Sequence, residues 1–433
     1  MELSILSIRP AKNVLGALRL PGDKSISHRY AMLAALAEGT TRLKNFSTGA
    51  DCASTLSCLQ QLGCVIRRGA DHAVASGVEI EGRDRLTAPA SSLDCGNSGS
   101  TMRMLSGILA GHDFACDLHG DASLSRRPMA RVMTPLRQMG ARITAAANDR
   151  PPLHIQGGQL SGIEYKSPVA SAQVKSAVLF AGLLASGETC VEEPHRTRDH
   201  GEQALRAFGA ELSRSRNRAT LRGGQKLHAI EAAVPGDISS GAFFLCAAAL
   251  FPESNLVIEN LSLNPTRASL LDVLRILGAR ISVINLEEHH GELVGTVKVE
   301  HGLLKGITIE GGQSVALIDE LPVLAAMAPY TREGIEIRDA RELRVKESDR
   351  IALVARNLRA MGAECEERED GLRIPGSQRL HGAEIDSGGD HRIAMAFAVA
   401  ALRAEGESVI HGAESARISF PEFFEMLERV VER

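Results

Sequence analysis

A short phrase recurs five times along this chain: LQQLGCVI at 59–66, LRQMGARI at 136–143, LRAFGAEL at 205–212, LRILGARI at 274–281 and LRAMGAEC at 358–365. Each reads as the end of a helix, a glycine, and the start of a strand. Glycine suits that place because a helix C-terminus commonly closes through a residue at positive φ. Glycines 63, 140, 209, 278 and 362 recur at intervals of about 70–80 residues, a period that marks a repeat architecture.

A second phrase interleaves with the first. It is polar, rich in Gly, Ser and Asp, and runs into a helix of small apolar residues. The six examples are 21–39, 96–111, 167–187, 235–250, 319–328 and 388–406. Six units of about 72 residues account for the 433-residue chain, the sixth lacking its closing glycine phrase. β-Branched runs such as CVIRRG, ARITAAA, LVIENLSL, TVKVEHG and GIEIRDA lie between the phrases and predict strands. Each unit thus mixes strands with two helices. Small residues on every face of the first helix predict that it is packed all round, with helices inside and sheets outside. The chain has no Trp and three Tyr, so Ala, Leu, Ile, Val and Met must build its core.

The halves echo each other: Leu20-Pro21-Gly22-Asp23 opens the first helix phrase and Val234-Pro235-Gly236-Asp237 the fourth. Three units per domain predict one domain over 21–235 and a discontinuous one over 1–20 and 236–433. The chain then crosses twice, near Pro21 and Pro235, which predicts a hinge with the active site in the interdomain cleft.

The net charge is −4 and no Lys/Arg run reaches five residues. That excludes an electrostatic trap for nucleic acid, and the stacking aromatics of single-strand binders are missing. Arginines sit singly inside motifs, which fits small anionic ligands. Eight cysteines (52, 58, 64, 95, 116, 190, 246 and 365) form no CxxC pair and read as reduced thiols. Metal spacings are lacking, so no metal is assigned. No apolar run reaches the ~20 residues of a membrane span. The opening MELSILSIRP resembles neither a signal nor a transit peptide. The expectation is a cytoplasmic monomer.

Function should lie where the inner helices begin. Helix N-termini present free N–H groups and a positive dipole end, which bind phosphate and carboxylate. Asp23-Lys24-Ser25-Ile26-Ser27-His28-Arg29 is the densest motif, and Ser25 and Arg29 share a helix face. Asn97-Ser98-Gly99-Ser100-Thr101-Met102-Arg103 is a polar turn in which Gly99 leaves the backbone open. Arg126-Arg127-Pro128 and Ser171-Ala172-Gln173 precede or open other helices. Arg198-Asp199-His200 invites a triad reading, but no GxSxG elbow accompanies it. Asp319 follows an apolar run and reads as a helix cap or a base. Arg344-Val345-Lys346-Glu347-Ser348-Asp349-Arg350 reads as a solvated salt-bridged face or a site, and Asp390-His391-Arg392 as a phosphate clamp. Each has a bland reading alone. Five or more at one phase of a repeat should face one interface.

LPGDKSISHR at 20–29, GNSGSTMR at 96–103, RRPM at 126–129, SAQVKSA at 171–177, RVKESDR at 344–350, GGDHRIAM at 388–395 and SFPEFF at 419–424 together resemble the 5-enolpyruvylshikimate-3-phosphate synthase family. The resemblance spans nearly the whole chain. It implies an α/β fold, a two-domain inside-out α/β barrel of six repeats, three per domain. It implies transfer of the enolpyruvyl group of phosphoenolpyruvate to the 5-hydroxyl of shikimate 3-phosphate, releasing phosphate, in the shikimate pathway to chorismate and the aromatic amino acids. No redox cofactor is implied, and glyphosate is implied as an inhibitor. Lys24, Ser25, Arg29, Ser171, Ala172, Gln173, Arg198, Asp319 and Lys346 match shikimate 3-phosphate contacts. Lys24, Asn97, Gly99, Arg127, Gln173, Arg350 and Arg392 match the phosphoenolpyruvate site. The resemblance makes Asp319 and Glu347 the acid–base candidates, with Lys24 as the rival donor.

Three departures stand out. Ala172 replaces a second Ser, Glu342 an Asn of some relatives, and Ile418 the Lys that often precedes the [ST]-F-P phrase. Arg417 points elsewhere if that segment is extended. The rival readings are the sister transferase acting on UDP-N-acetylglucosamine, a silent phosphate-binding paralogue, and an RNA-end-processing enzyme. The motifs disfavour the first, joint retention of Lys24, Asp319, Glu347 and Arg392 the second, and the acidic balance the third.

Overall fold

The computed structural model describes residues 5–69 and 77–433. Residues 1–4, within the strand-like opening of the chain, lie outside the described residues. Contacts divide the chain into two compact units. Unit 1 comprises Met1–Leu20, Pro235–Glu287 and Leu293–Arg433, and unit 2 comprises Pro21–Val234 and Glu288–Glu292.

Unit 2 holds three four-stranded sheets of one design. Glu231–Ala233 runs parallel to Thr40–Lys44, which pairs antiparallel with Val78–Glu81, itself antiparallel to Val65–Arg68. The same order joins Leu93–Asp94, Ala115–His119, Arg150–Gln156 and Arg142–Ala146. It recurs in Glu164–Lys166, Glu188–Glu192, Arg218–Arg222 and Leu212–Ser215. The sheets are separate and open; no closed hydrogen-bonded barrel joins them among the described residues.

Unit 1 repeats the design with one economy. Ile307–Ile309, Ile335–Ile337, Gly371–Ile374 and Glu366–Arg368 form one copy. Asn13–Arg19 runs parallel to Asn255–Ser262, which pairs antiparallel with Glu292–Glu300. In the last copy Glu384–Asp386 runs parallel to Ser408–His411. The segment after Ser408–His411 forms a 3-10 turn and a helix, and Ile5–Ile8 supplies the antiparallel neighbour. The missing sixth glycine phrase has this consequence: the opening strand closes the last repeat.

All five glycine phrases form the expected turn. Gly63, Gly140, Gly209, Gly278 and Gly362 have φ between +89° and +113°, where a Cβ is disfavoured. The polar phrases lead into Lys24–Ala34, Gly99–Ala110, Ala172–Leu184, Ile238–Ala249, Leu321–Met327 and His391–Ala401. These inner helices are buried almost throughout, Ile238–Ala249 and His391–Ala401 at every residue. Strands alternate buried and exposed side chains, as in Val78–Glu81 or Arg150–Gln156. Each sheet therefore turns one face inward and one to solvent, as the inside-out expectation requires.

Small residues let the inner helices meet at backbone distance. A Cβ on Gly107 would stand 2.1 Å from the Ala177 carbonyl oxygen on the next inner helix. Seven cysteines are buried and Cys365 is partly so. No described helix is long and apolar enough to cross a membrane.

Gly107→Ala tests the packing. Alanine favours an isolated helix by about 1 kcal/mol. Backbone overlap should outweigh that gain and leave a net loss of about 1–3 kcal/mol in urea denaturation.

Candidate active site

In unit 2 the starts of the three inner helices carry one connected polar cluster. Asp23 caps Lys24–Ala34 by accepting from the Ile26 amide at 3.0 Å. Ser98 and Ser171 cap Gly99–Ala110 and Ala172–Leu184 in the same way. The caps explain why helices begin where the polar phrases end.

Lys24 Nζ lies 2.8 Å from Asp51 Oδ2, so its ammonium is held by a carboxylate on Ala50–Gln61. Arg29 is buried. Its Nε donates to Ser176 Oγ at 3.1 Å, and its terminal nitrogens to the carbonyls of Ser25 at 2.9 Å and Ala172 at 3.4 Å. The Ser25–Arg29 link thus runs through backbone. Burial pushes the Arg29 guanidinium down to about 10; Glu202 opposes this shift and Arg198 adds to it. A guanidinium placed among neutral oxygens is poised for an anion.

Gln173 joins the second and third helix starts. Its Nε2 donates to Ser100 Oγ at 2.9 Å, and its Oε1 accepts from Arg103 at 2.8 Å. Arg127 donates to Asn97 Oδ1 at 2.7 Å, and Asn97 Nδ2 to Asp121 at 2.7 Å. Gly99 lies between: a Cβ there would stand 2.7 Å from Arg103 NH1 and 3.3 Å from Arg127 NH1. Its missing side chain makes room for two guanidinium groups as well as an open backbone.

The triad reading of Asp199-His200 fails on geometry. Asp199 pairs with Arg196 at 3.2 Å and with Arg214 at 2.5 Å, while His200 Nδ1 lies 2.7 Å from Glu292. Burial lowers the His200 pKa, but Glu292 more than offsets this, and the net direction is up.

Unit 1 carries a second cluster. Asp319 is not a helix cap: Leu321–Met327 begins after Glu320, whose side chain makes no capping bond. The Asp319 carboxylate instead lies among cations, 3.5 Å from Arg350, 3.8 Å from Lys346 and 3.9 Å from Arg392. Arg392 also donates to the Asp319 carbonyl at 2.7 Å. The solvated-face reading of 344–350 holds only for part of the run. Arg344 pairs with Asp349 and Glu367 near the surface. Arg350, by contrast, is 1% exposed, with Nε 2.8 Å from Asp390 and NH2 2.6 Å from Glu347.

Burial pushes the Lys346 ammonium below its usual range, while Asp319, Glu342 and Glu347 pull it back up. Glu342 therefore supplies negative charge beside the Lys346 ammonium. Burial alone raises the Asp390 carboxyl; the charge of Arg350 outweighs it and leaves Asp390 below its usual value.

Ala413–Ile418 forms a 3-10 turn, not the extended segment expected around Arg417, because Gly412 adopts the left-handed conformation that starts it. Arg417 is exposed there and Ile418 half-buried. SFPEFF is packing: Phe420 and Phe423 are buried against Phe243 and Phe244.

Sequence reasoning missed Asp51, Ser176, Glu320, Arg267 and the role of Arg103. Asp51 and Arg267 lie beyond the polar phrases, and only a buried charged position would have signalled them. No cluster of His, Cys, Asp or Glu fit for a metal occurs among the described residues.

Two sets of helix starts carrying cations and hydroxyls, repeated along the chain, define a class: an α/β protein of six repeats. The comparisons make this specific. The family described as EPSP synthase (3-phosphoshikimate 1-carboxyvinyltransferase) matches residues 8–427. A 3-phosphoshikimate 1-carboxyvinyltransferase of Koribacter versatilis (strain Ellin345) is 63% identical over 427 residues, covering 98% of this chain and 99% of that one. Its counterpart in Solibacter usitatus (strain Ellin6076) is 57% identical over 425 residues, with the same coverage. A solved EPSP synthase from Acinetobacter baumannii superposes with a TM-score of 0.87 at 43% identity, covering 99% of this chain and 98% of that chain. The chain belongs to the EPSP synthase family.

Asp390 offers a direct test of the unit 1 cluster. Held below its usual value, it contributes stability in full above its unfolded pKa of about 4, and loses it as pH falls through its folded value. Asp390→Asn should lower stability at neutral pH by about 1–3 kcal/mol, since buried Arg350 loses one of its two close carboxylates and keeps Glu347. The loss should shrink in denaturation curves as pH falls from about 4 toward the lower folded value, where the parent's own carboxylate takes up its proton.

Proposed function

We propose that this chain is a 3-phosphoshikimate 1-carboxyvinyltransferase, transferring the enolpyruvyl group of phosphoenolpyruvate to the 5-hydroxyl of shikimate 3-phosphate with release of phosphate. The carrying observation is the match of residues 8–427 to that family together with the two cation-rich clusters. We propose that both clusters act on the same pair of substrates, and that the protein is a cytoplasmic monomer of the shikimate pathway.

The roles follow the chemistry. Addition needs a base to accept the hydroxyl proton as oxygen attacks C2, and an acid to protonate C3. Asp319 takes the first role. Glu347 takes the second, with Lys24 as the other donor. Elimination then expels phosphate as the new methyl group loses a proton, restoring the double bond. Lys24, Arg127, Arg350 and Arg392 stabilise the charge on the departing phosphate and hold the carboxylate of phosphoenolpyruvate. Lys24, Ser25, Arg29, Ser171, Gln173, Arg198 and Lys346 hold shikimate 3-phosphate, Ala172 through its backbone. Asn97 holds Arg127, a supporting role that its hydrogen bond favours.

Phosphate release by the purified protein should require phosphoenolpyruvate and shikimate 3-phosphate, and should not occur with UDP-N-acetylglucosamine as acceptor. Release with the nucleotide sugar alone would transfer the assignment to the sister enzyme. Asp319→Asn should lower kcat by roughly 10²–10⁴-fold while retaining substrate binding; near-parental turnover removes Asp319 as the base.

We also propose glyphosate as an inhibitor competing with phosphoenolpyruvate. Gly99→Ala would press on Arg103 and Arg127, flexible side chains that can yield. The variant should fold, with its inhibition constant for glyphosate raised more than its KM for phosphoenolpyruvate. Equal changes in both constants would show that Gly99 does not discriminate between them.

A further inference from the structure

The fourth inner helix opens with Val234-Pro235-Gly236-Asp237-Ile238-Ser239, against Leu20-Pro21-Gly22-Asp23-Lys24-Ser25 at the first. Ile238 stands where the first helix has Lys24. A cation is nonetheless present at this helix start, and it arrives from elsewhere. Arg267, 2% exposed, follows the strand Asn255–Ser262 and donates to Ser239 Oγ. Ser239 Oγ in turn donates to Glu320 Oε1, and Arg267 NH1 lies 3.5 Å from the same oxygen. Asp237, which caps the helix, is 3.9 Å from Arg267.

Glu320 is the residue after Asp319 and is 2% exposed. Its Oε1 is also 3.9 Å from Arg392 NH1, so one buried carboxylate oxygen faces two guanidinium groups. It accepts a hydrogen bond from Ser239, which Arg267 in turn holds, and it stands beyond hydrogen-bond reach of Arg392. Its other oxygen, Oε2, is buried and accepts no hydrogen bond. A buried carboxylate in that state moves toward the nearest available cation if its present partner is lost, because an unpaired buried charge is costly. The cation at hand is Arg392. A direct Glu320–Arg392 pair would occupy the guanidinium and draw it off the Asp319 carbonyl.

We propose that Arg267 and Ser239 are positioning residues that hold Glu320 away from Arg392, keeping Arg392 available to the anionic substrate. The inference rests on the assignment of Arg392 to phosphoenolpyruvate and adds three residues that neither the sequence motifs nor the family resemblance singled out. Arg267 contacts no reacting atom; it acts by choosing the partner of a neighbouring carboxylate.

The test is steady-state kinetics with both substrates on the full-length enzyme, beside thermal melting. Arg267→Met should raise KM for phosphoenolpyruvate by roughly tenfold, since a charge-assisted contact to Arg392 is compromised. KM for shikimate 3-phosphate should stay within about twofold, because its proposed contacts do not include Arg392. Adding Glu320→Gln removes the competing charge and should restore KM for phosphoenolpyruvate toward the parent, even where the melting temperature stays low. Ser239→Ala, a milder change for the event that Arg267→Met does not fold, should move the same constant in the same direction. A general structural role would instead raise both constants or lower kcat alone, with no rescue by the second substitution. Either result, or an unchanged KM for phosphoenolpyruvate in Arg267→Met or Ser239→Ala, overturns the proposal. Absence of turnover by the unsubstituted protein would overturn the functional assignment itself, so the two failures are told apart.

Discussion

A helix buried on every side can be polar only at its ends, and that constraint organises this protein. The six inner helices are lined with Ala, Leu, Ile, Val and small residues because sheets and sister helices surround them. Their first turns cannot satisfy their own N–H groups. Side-chain caps from Asp23, Ser98, Ser171, Asp237 and Asp390 take up part of that demand. What remains is a set of helix starts disposed toward anions, each built by the same repeat. The chemistry of the chain is concentrated there because the rest of each inner helix has no room for it.

The two units answer the same constraint with different charge arrangements. Unit 2 keeps several cations beside neutral partners: Arg29 among carbonyls and a hydroxyl, Arg127 on an amide, Arg103 on Gln173. Unit 1 interleaves carboxylates with its cations, so that Asp319, Glu347 and Asp390 all meet Arg350. Buried ion pairs return little net stability, because desolvation consumes most of the attraction. Their value here is placement: Arg350 can adopt few other positions without leaving a carboxylate stranded. A binding surface for a phosphate needs cations in fixed places, whereas proton transfer needs carboxylates in fixed places, and the proposed division of labour follows that difference.

The repeat and the inner position of the helices were legible in the sequence. Five glycine phrases and six polar phrases encode local requirements, positive φ and capped helix starts, which depend on neighbours a few residues away. The missing sixth glycine phrase marked the repeat whose third strand comes from Ile5–Ile8. The motif residues Lys24, Asn97, Arg127, Gln173, Asp319, Arg350 and Arg392 were recognisable for the same reason: each sits at the start of a helix or just before one.

Pairing was not legible, and only the tertiary structure decided it. Asp51 holds Lys24 across 27 residues of chain, Ser176 meets Arg29 across 147, and Asp390 meets Arg350 across 40. Asp199 and His200, adjacent in sequence, turn to different partners. A run of alternating charges at 344–350 held both a half-buried arginine and a fully buried one, with nothing in its pattern to tell them apart. The sequence by itself determined which backbone turns and helix starts exist, because propensities and caps act locally. The tertiary structure determined which charge neutralises which, because an ion pair depends on distance and burial, and both are set by segments that come together only on folding.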